Sequence, residues 1–423
     1  KHSGGGRAFY TSLGHVDDFS NPQFTQMLVN AVYWGLAMEV SDASVTTPSP
    51  EGGEIAKISR VVKKAVNEGR ENPLDPLQSF SHITVGEGLE ADLVLHEPLV
   101  TQPLHLSFDE RGRLWVVEYM QYPDPAGLKR VSRDAVWRIT YEKMPPPPPH
   151  AEGSPFRGKD RISIHEDTDG DGVFDSHKIF ADHLNLATSV ARGRGGVWVT
   201  QPPYLLFYPD RDNDDVPDSD PEVHLKGFML EDTHSIANSL YWGPDGWLYG
   251  TQGSTVSANI TRPGLDADDD GVKTMGQNVW RYHPERRVYE VFAEGGGNAF
   301  GVEIDSGGRV FSGHNGGDTR GFHYQQGAYL RKGFNKHGDL TNPYSFGYFP
   351  HMSHHKVARF THQFLIYEEN RLPERYQGKL WGVDVMHSNV VMSDISDDGS
   401  TFKTRDISRP FDSTDKWVRP VHI

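Results

Sequence analysis

Asn238-Ser-Leu-Tyr-Trp-Gly-Pro-Asp-Gly-Trp-Leu-Tyr249 reads as a β-hairpin. Apolar and β-favouring residues flank Gly243-Pro-Asp-Gly246, a four-residue stretch with turn chemistry. The same design recurs along the chain. Gln102-Pro-Leu-His-Leu-Ser-Phe-Asp-Glu-Arg-Gly-Arg-Leu-Trp-Val-Val117 precedes it, as does Asn185-Leu-Ala-Thr-Ser-Val-Ala-Arg-Gly-Arg-Gly-Gly-Val-Trp-Val199. Asn298-Ala-Phe-Gly-Val-Glu-Ile-Asp-Ser-Gly-Gly-Arg-Val-Phe311 follows, then a weaker unit at Gln377-Gly-Lys-Leu-Trp-Gly-Val-Asp-Val385 and a start at Arg419-Pro-Val-His-Ile423. Further strands are expected at Ala135-Val-Trp-Arg-Ile-Thr140 and Asn278-Val-Trp-Arg-Tyr282. The starts lie about 50 to 80 residues apart, more than a minimal four-stranded blade needs, so insertions are expected.

One such sheet cannot bury both faces, whereas sheets arranged radially bury one another and leave short edges. The chain is therefore expected to be all-β, a six-bladed β-propeller over 92–423 whose last blade is cut off after its first strand. Pro145–Pro149 marks a stiff surface excursion between blades one and two.

Composition agrees. Among 423 residues there are 44 Gly and 28 Pro, which favour a turn-rich β chain. The net charge of −16 argues against nucleic acid as a partner. There is no Cys, so no disulfide, thiolate metal site or covalently attached haem forms within this chain. No apolar run approaches the ~18 residues of a membrane span.

Much of the acid sits in three loops of one spacing. Asp167-x-Asp169-x-Asp171-Gly-Val173-x-Asp175 offers carboxylates at alternate positions and a carbonyl at Val173. Asp210-x-Asp212-x-Asp214 with Asp218 repeats it, and Asp266-x-Asp268-x-Asp270-Gly271 repeats the first half. Ca²⁺ takes 6–8 hard oxygens, and alternate residues of a tight loop converge on one ion. The loops resemble thrombospondin type-3 and EF-like loops, although Lys178 stands where an EF-hand carries its bidentate Glu. A structural Ca²⁺ is the expectation; solvated acidic turns are the alternative.

The polar residues that open the inner strands, Gln102, Asn185, Asn238, Asn298 and Arg419, with His105 and His422 nearby, would crowd one mouth of the channel. Just ahead of the central hairpin stands Asp232-Thr-His234-Ser-Ile-Ala-Asn238. This run is similar to the soluble pyrroloquinoline-quinone (PQQ)-dependent glucose and aldose dehydrogenases, and the resemblance implies that His234 is the base on a sugar hydroxyl. Gly297-Asn298-Ala-Phe-Gly301 and Phe311-Ser-Gly-His314-Asn315-Gly-Gly-Asp318 stand where those enzymes hold cofactor and Ca²⁺. The resemblance thus implies a cofactor wall of Asn298, His314 and Asn315, which Gln102 and Asn238 would join from their places at the same mouth. An Arg of that family is replaced by Gly297, so Arg320 or Arg419 would have to meet the quinone carboxylates.

At the other end, Gly6-Arg-Ala-Phe-Tyr-Thr-Ser-Leu-Gly-His15 and the following helix-like run resemble the C-terminal tail of ThuA-like (trehalose utilisation) domains. This gives an α/β segment over 1–40, followed by a linker with a short helix over 41–91. The order of tail and propeller resembles large multidomain proteins of planctomycetes and verrucomicrobia named as membrane-bound dehydrogenases. That likeness implies an extracytoplasmic, periplasmic setting and a downstream c-type cytochrome domain as electron acceptor.

The functional expectation is a sugar or polyol dehydrogenase using a quinone and Ca²⁺. Two other readings stand beside it. One is a non-catalytic propeller that binds carbohydrate or positions partners. The other is a propeller hydrolase or lyase, needing paired acids such as Glu118 and Asp232. The His-rich stretch His351, His354, His355 and His362 is a possible transition-metal site that lacks an acid at a convincing spacing.

Overall fold

The computed structural model describes residues 26–28, 30–31, 72–134, 138–314, 319–332, 348–355 and 363–423. The chain divides into two units, Lys1–Pro73 and Leu74–Ile423. In the first, residues 26–28 and 30–31 are helical, as the spacing of Met27, Leu28 and Ala31 predicts. The remainder of the expected ThuA-like tail, His15 included, and residues 41–71 of the expected linker lie outside the described residues.

The second unit is built of antiparallel sheets in which consecutive strands pair as meanders. Blade I comprises Pro103–Phe108, Leu114–Glu118, Asp160–Glu166 and Ser176–Leu184. Blade II comprises Ser189–Arg192, Gly196–Gln201, Tyr204–Pro209 and Glu222–Phe228, extended outward by Ala258–Thr261 and Val272–Thr274. Asn238–Trp242, Leu248–Gln252, Asn278–His283 and Val288–Glu294 form blade III. Ala299–Ile304, Val310–His314 and Gly321–Tyr324 form blade IV. Blade V holds Phe364–Tyr367, Lys379–Asp384, Asn389–Asp398 and Thr401–Ser413. The first strand of each blade packs on the first strand of the next.

Side-chain alternation shows why the sheets stand face to face. In Tyr204–Pro209 every residue is buried. Tyr204, Leu206 and Tyr208 pack with Trp115, Ile162 and Phe180 of blade I, whereas Leu205 and Phe207 pack with Leu240, Leu248 and Tyr282 of blade III. Successive residues of a strand point to opposite faces, so a strand apolar at every position needs a neighbour on each side. The pattern continues around the ring. Trp247, Tyr249 and Phe292 meet Val302 and Phe322 of blade IV, and Phe311 meets Phe364, Leu380 and Phe402 of blade V. This is a β-propeller, with its cores between blades.

Trp280 is fully buried against Phe228 at 5.2 Å between ring centroids, and its Nε1 donates to the Thr251 carbonyl at 3.2 Å. Trp280→Phe removes that hydrogen bond and leaves a void, and is expected to cost about 2 kcal/mol in urea unfolding. A cost under ~0.5 kcal/mol would mean that the neighbouring blade collapses onto the gap.

Several sequence expectations are corrected. The inner strand of blade V is Phe364–Tyr367, and the quoted Lys379–Asp384 run is its second strand. Ile139–Tyr141 pairs with Arg130–Arg133 in a separate hairpin rather than in a blade; positions 135–137 lie outside the described residues. The proline run falls within blade I, between Glu118 and Asp160, and the Pro145 carbonyl accepts a hydrogen bond from Tyr204 Oη at 2.6 Å. Within the expected linker, Asp75-Pro76 starts a helix instead of interrupting structure. Asp75 caps Pro76–Ser81 by accepting from Leu77 N, and proline is preorganised for the first helical turn. Ile83–Val85 then pairs with Phe411–Ser413 and joins blade V. Arg419–Ile423, expected to open a sixth blade, forms no strand, and His422 lies with its ring 4.6 Å from that of His105 in blade I. Among the described residues no helix is long and apolar enough to cross a membrane.

Candidate active site at the mouth of the propeller

A cavity of about 310 Å³ opens where the inner strands begin. Blade III supplies Asn238 and Ser239, blade IV Asn298, Phe300 and Gly301, and blade I Leu104 and His105. Tyr119, Tyr122, Thr188, Thr233, His234, Gln363 and His422 complete most of the wall. Asn238 and Ser239 both reach it because the register shifts between Asn238 and Tyr241, a bulge that suspends strand alternation.

His234 sits in the loop that feeds this bulge. The Asp232 carboxylate accepts from the His234 backbone N–H at 3.2 Å and lies 2.9 Å from His234 Nδ1. Its other oxygen accepts from Thr255 Oγ1. An Asp two residues ahead of a His folds back in an Asx-type turn, so this dyad is local in origin. The ring of Tyr122 meets His234 edge-on at 5.3 Å, and Tyr119 lies against Tyr122. With Nδ1–H turned to Asp232, Nε2 is the basic nitrogen of a side chain that is 71% exposed. The hydrogen bond to Asp232 raises the His234 pKa and outweighs the opposing effect of burial. Burial pushes Asp232 up, but the bonds from His234 and Thr255 prevail and hold it below its ordinary value.

A second pair of imidazoles faces the same cavity. Burial drives His105 well down in pKa, with His422 adding to it, and burial lowers His422 to about 4. Both are neutral near pH 7, and neither Nδ1 has a hydrogen-bond partner.

Of the residues expected to hold cofactor, Asn238 and Asn298 line the cavity. The Asn238 amide is spent inside the fold: Nδ2 donates to the Ile236 carbonyl, and Oδ1 accepts from Ser239 and Thr251. Asn298 Oδ1 accepts from Ser254 N at 2.6 Å, tying blade IV to blade III. The other expected cofactor residues are not brought together. Gln102 is exposed away from the wall. His314 is buried behind it, its Nε2 3.3 Å from the Thr319 carbonyl, with burial lowering its pKa to about 4. Arg320 is paired with Asp406, and Arg419 is exposed, bonded to Ser388 and backbone carbonyls. Asn315 and Asp318 lie outside the described residues. No Lys or Arg stands among the described lining residues, so the described part of the wall offers no cation to the three carboxylates of PQQ. The paired-acid arrangement is also absent there. Glu118 is fully buried, held by Arg161 at 2.8 Å, by Ser163 and by the Thr101 N–H, and does not line the cavity.

Sequence reasoning missed Tyr119, Tyr122, Thr188, Phe300 and Gln363. They come from turns and strand edges with no shared motif.

The acidic loops divide. Carboxylate oxygens of Asp167, Asp169 and Asp171 lie within 4.8 Å of one another, as do those of Asp210, Asp212 and Asp214. Asp175 and Asp218, expected to close the two shells, instead accept from Thr168 and from Arg211. Val173 N–H donates to Asp171 Oδ1 at 2.8 Å. The third loop does not assemble. Arg262, four residues earlier, takes Asp266, and Lys226 takes Asp268; Asp270 joins no such group among the described residues. In the His-rich stretch, His354 and His355 converge with Asp406, a distant acid that spacing could not reveal. Its carboxylate is already bonded to Arg320 and Ser393. His351 lies with Nε2 3.2 Å from the Arg331 carbonyl, and His362 is outside the described residues.

Fold and site together define a β-propeller with a histidine–aspartate dyad at its mouth. The chain belongs to the DUF7133 family, described as a domain of unknown function, which it matches over residues 75–423. No curated protein matches the sequence. Among solved structures it is similar to a PQQ-bound aldose sugar dehydrogenase from Streptomyces coelicolor, at 13% identity and a TM-score of 0.44 over 80% of this chain and 87% of that one. The apo-form soluble aldose sugar dehydrogenase of Escherichia coli gives 12% identity and a TM-score of 0.32 over 77% and 78%. Virginiamycin B lyase from Staphylococcus aureus gives 11% and 0.32 over 76% and 73%. Likenesses this distant do not choose between an oxidation and a lyase reaction.

Proposed function

We propose that the cavity binds a neutral, hydroxyl-bearing small molecule of the carbohydrate or polyol class, and that His234 takes a proton from one of its hydroxyls. The observation that carries this reading is the Asp232–His234 pair. A carboxylate that fixes the tautomer and orientation of an imidazole at a cavity wall is the arrangement a general base needs. Tyr122 and Phe300 offer apolar surface for a sugar ring, and burial keeps the Tyr122 phenol protonated, as a donor. A quinone-class acceptor, were one held beside the substrate, would supply the oxidant that the dehydrogenase form of this reading needs. The described wall supports the proton-transfer half and offers a tricarboxylate quinone no cation.

Titration calorimetry with a panel of aldoses and polyols tests the binding half. Dye reduction with those sugars, with and without PQQ and Ca²⁺, tests the redox half. Saturable sugar binding lost in Tyr122→Ala supports the site. No binding by any member of the panel sinks it, whatever the dye assay reports.

The pH dependence has a definite sign. The base is neutral imidazole, so turnover should rise with pH through the raised pKa of His234, with its midpoint above the ordinary ~6.5. Asp232→Asn removes the raising hydrogen bond and should move the midpoint down. Stability runs the other way. The pair stabilises the fold below pH ~6.5, and that contribution is lost as pH rises through the folded-state pKa. An unmoved midpoint in Asp232→Asn would show that another group controls the profile.

A further inference from the structure

The turn between the third and fourth strands is acidic in both blade I and blade II, and the two differ in one respect. In blade I the Asp167 carboxylate is exhausted by backbone N–H groups of Gly170, Asp171 and Gly172. In blade II the equivalent Asp210 is fully buried, and its Oδ2 accepts no hydrogen bond. The nearest cationic atom is Arg192 Nη2 at 4.0 Å, which donates instead to Asn213 Oδ1 at 2.9 Å. Neighbouring cations are likewise engaged elsewhere. Arg113 holds Asp109 and Asp215, Lys178 Nζ donates to the Asp214 carbonyl, and Arg111 donates to the Asn213 carbonyl.

We infer that the blade II loop, through Asp210, Asp212 and Asp214, binds a hard divalent cation, Ca²⁺ by ligand class, at the junction with blade I. Three carboxylate oxygens within 4.8 Å repel one another unless a cation lies among them. A buried carboxylate oxygen with no donor is costly unless something neutralises it. Three carboxylates from alternate loop positions, with carbonyls and water to complete 6–8 oxygens, suit the irregular shell of Ca²⁺ better than the strict octahedron of Mg²⁺. Because Arg113, Lys178 and Arg111 of blade I already grip this loop, an ion inside it would brace one blade against the next. The inference is independent of the reading of the cavity.

The test uses the full chain, stripped with chelator and titrated with CaCl₂, with thermal unfolding and calorimetry as readouts. At a hundredfold excess over its Kd, one bound ion should raise Tm by ~3 °C, with no such rise in matched NaCl. Asp212→Asn, at an exposed position, should fold normally and lose the shift. Asp169→Asn in the blade I loop should keep it. Asp210→Asn should lose it as well, and Asp212→Asn decides the matter if Asp210→Asn does not fold. A wild-type Tm indifferent to Ca²⁺ would overturn the inference, as would a shift that survives Asp212→Asn or one that vanishes in Asp169→Asn.

Discussion

His234→Ala is expected to lower turnover of a hydroxylated substrate by ~10²- to 10⁴-fold while changing its KM little. That is the usual worth of a positioned general base. The side chain is 71% exposed, so truncation should not disturb folding. Its bond to Asp232 is the main cost, and Asp232 keeps Thr255 and the His234 backbone N–H as donors. A loss confined to kcat marks an interaction made in the transition state; a loss confined to KM would make His234 a binding residue. Asp232→Asn should fall between wild type and His234→Ala, because the imidazole remains but its orientation and pKa are released. Added imidazole should restore part of the His234→Ala activity, an effect that a merely structural histidine would not give. Wild-type turnover in His234→Ala would remove the dyad from the chemistry.

Arg113→Ala should be the most destabilising single change at the blade I–II junction. The guanidinium is 5% exposed and bidentate to Asp215, at 2.6 and 2.9 Å, with Nε on Asp109 at 2.8 Å. The Asp109 side chain is out of contact with solvent and also accepts from Trp115 Nε1. Truncation strands two carboxylates in a poorly solvated place, a situation that costs about 3–5 kcal/mol. Urea or thermal unfolding reads it directly. The double variant Arg113→Met with Asp215→Asn should recover part of the loss, because the penalty comes from the unpaired charge rather than from the missing bond. The acid limb offers an independent check. The Arg113 hydrogen bond chiefly holds Asp215 below its ordinary pKa, so wild-type protein gains stability above pH ~3.9 and loses it as pH falls through the lowered value. Arg113→Ala should flatten that limb. A cost below ~1 kcal/mol would mean that water reaches both acids.

The fold was legible because its signal is repeated and local. A hairpin such as Asn238–Tyr249 needs only strand-forming residues and a Gly-Pro-Asp-Gly turn, and three of its relatives announce their own strands in the same way. The dyad was half legible. His234 was chosen by resemblance, and Asp232 stood two residues away, close enough for the backbone turn to join them. In two of the acidic loops the carboxylates come together, because alternate residues of a tight turn face one another.

Only the tertiary structure decided the rest. Asn238 and Asn298 reach the cavity, yet the first spends its amide within blade III and the second ties blade IV to blade III. Arg320 is consumed by Asp406, 86 positions away. The third acidic loop fails because Arg262 and Lys226 arrive first, and the blade II loop outranks that of blade I because packing against the neighbouring blade buries Asp210. Tyr119 and Tyr122 enter the wall from one loop of blade I, and Gln363 enters it from the start of blade V. By itself the sequence determined which residues form strands and turns, since hydrogen-bonding propensity and side-chain alternation act over a few residues. Which polar groups are free to act depends on partners supplied by distant strands and on how deeply each is buried, and those are properties of the folded ring alone.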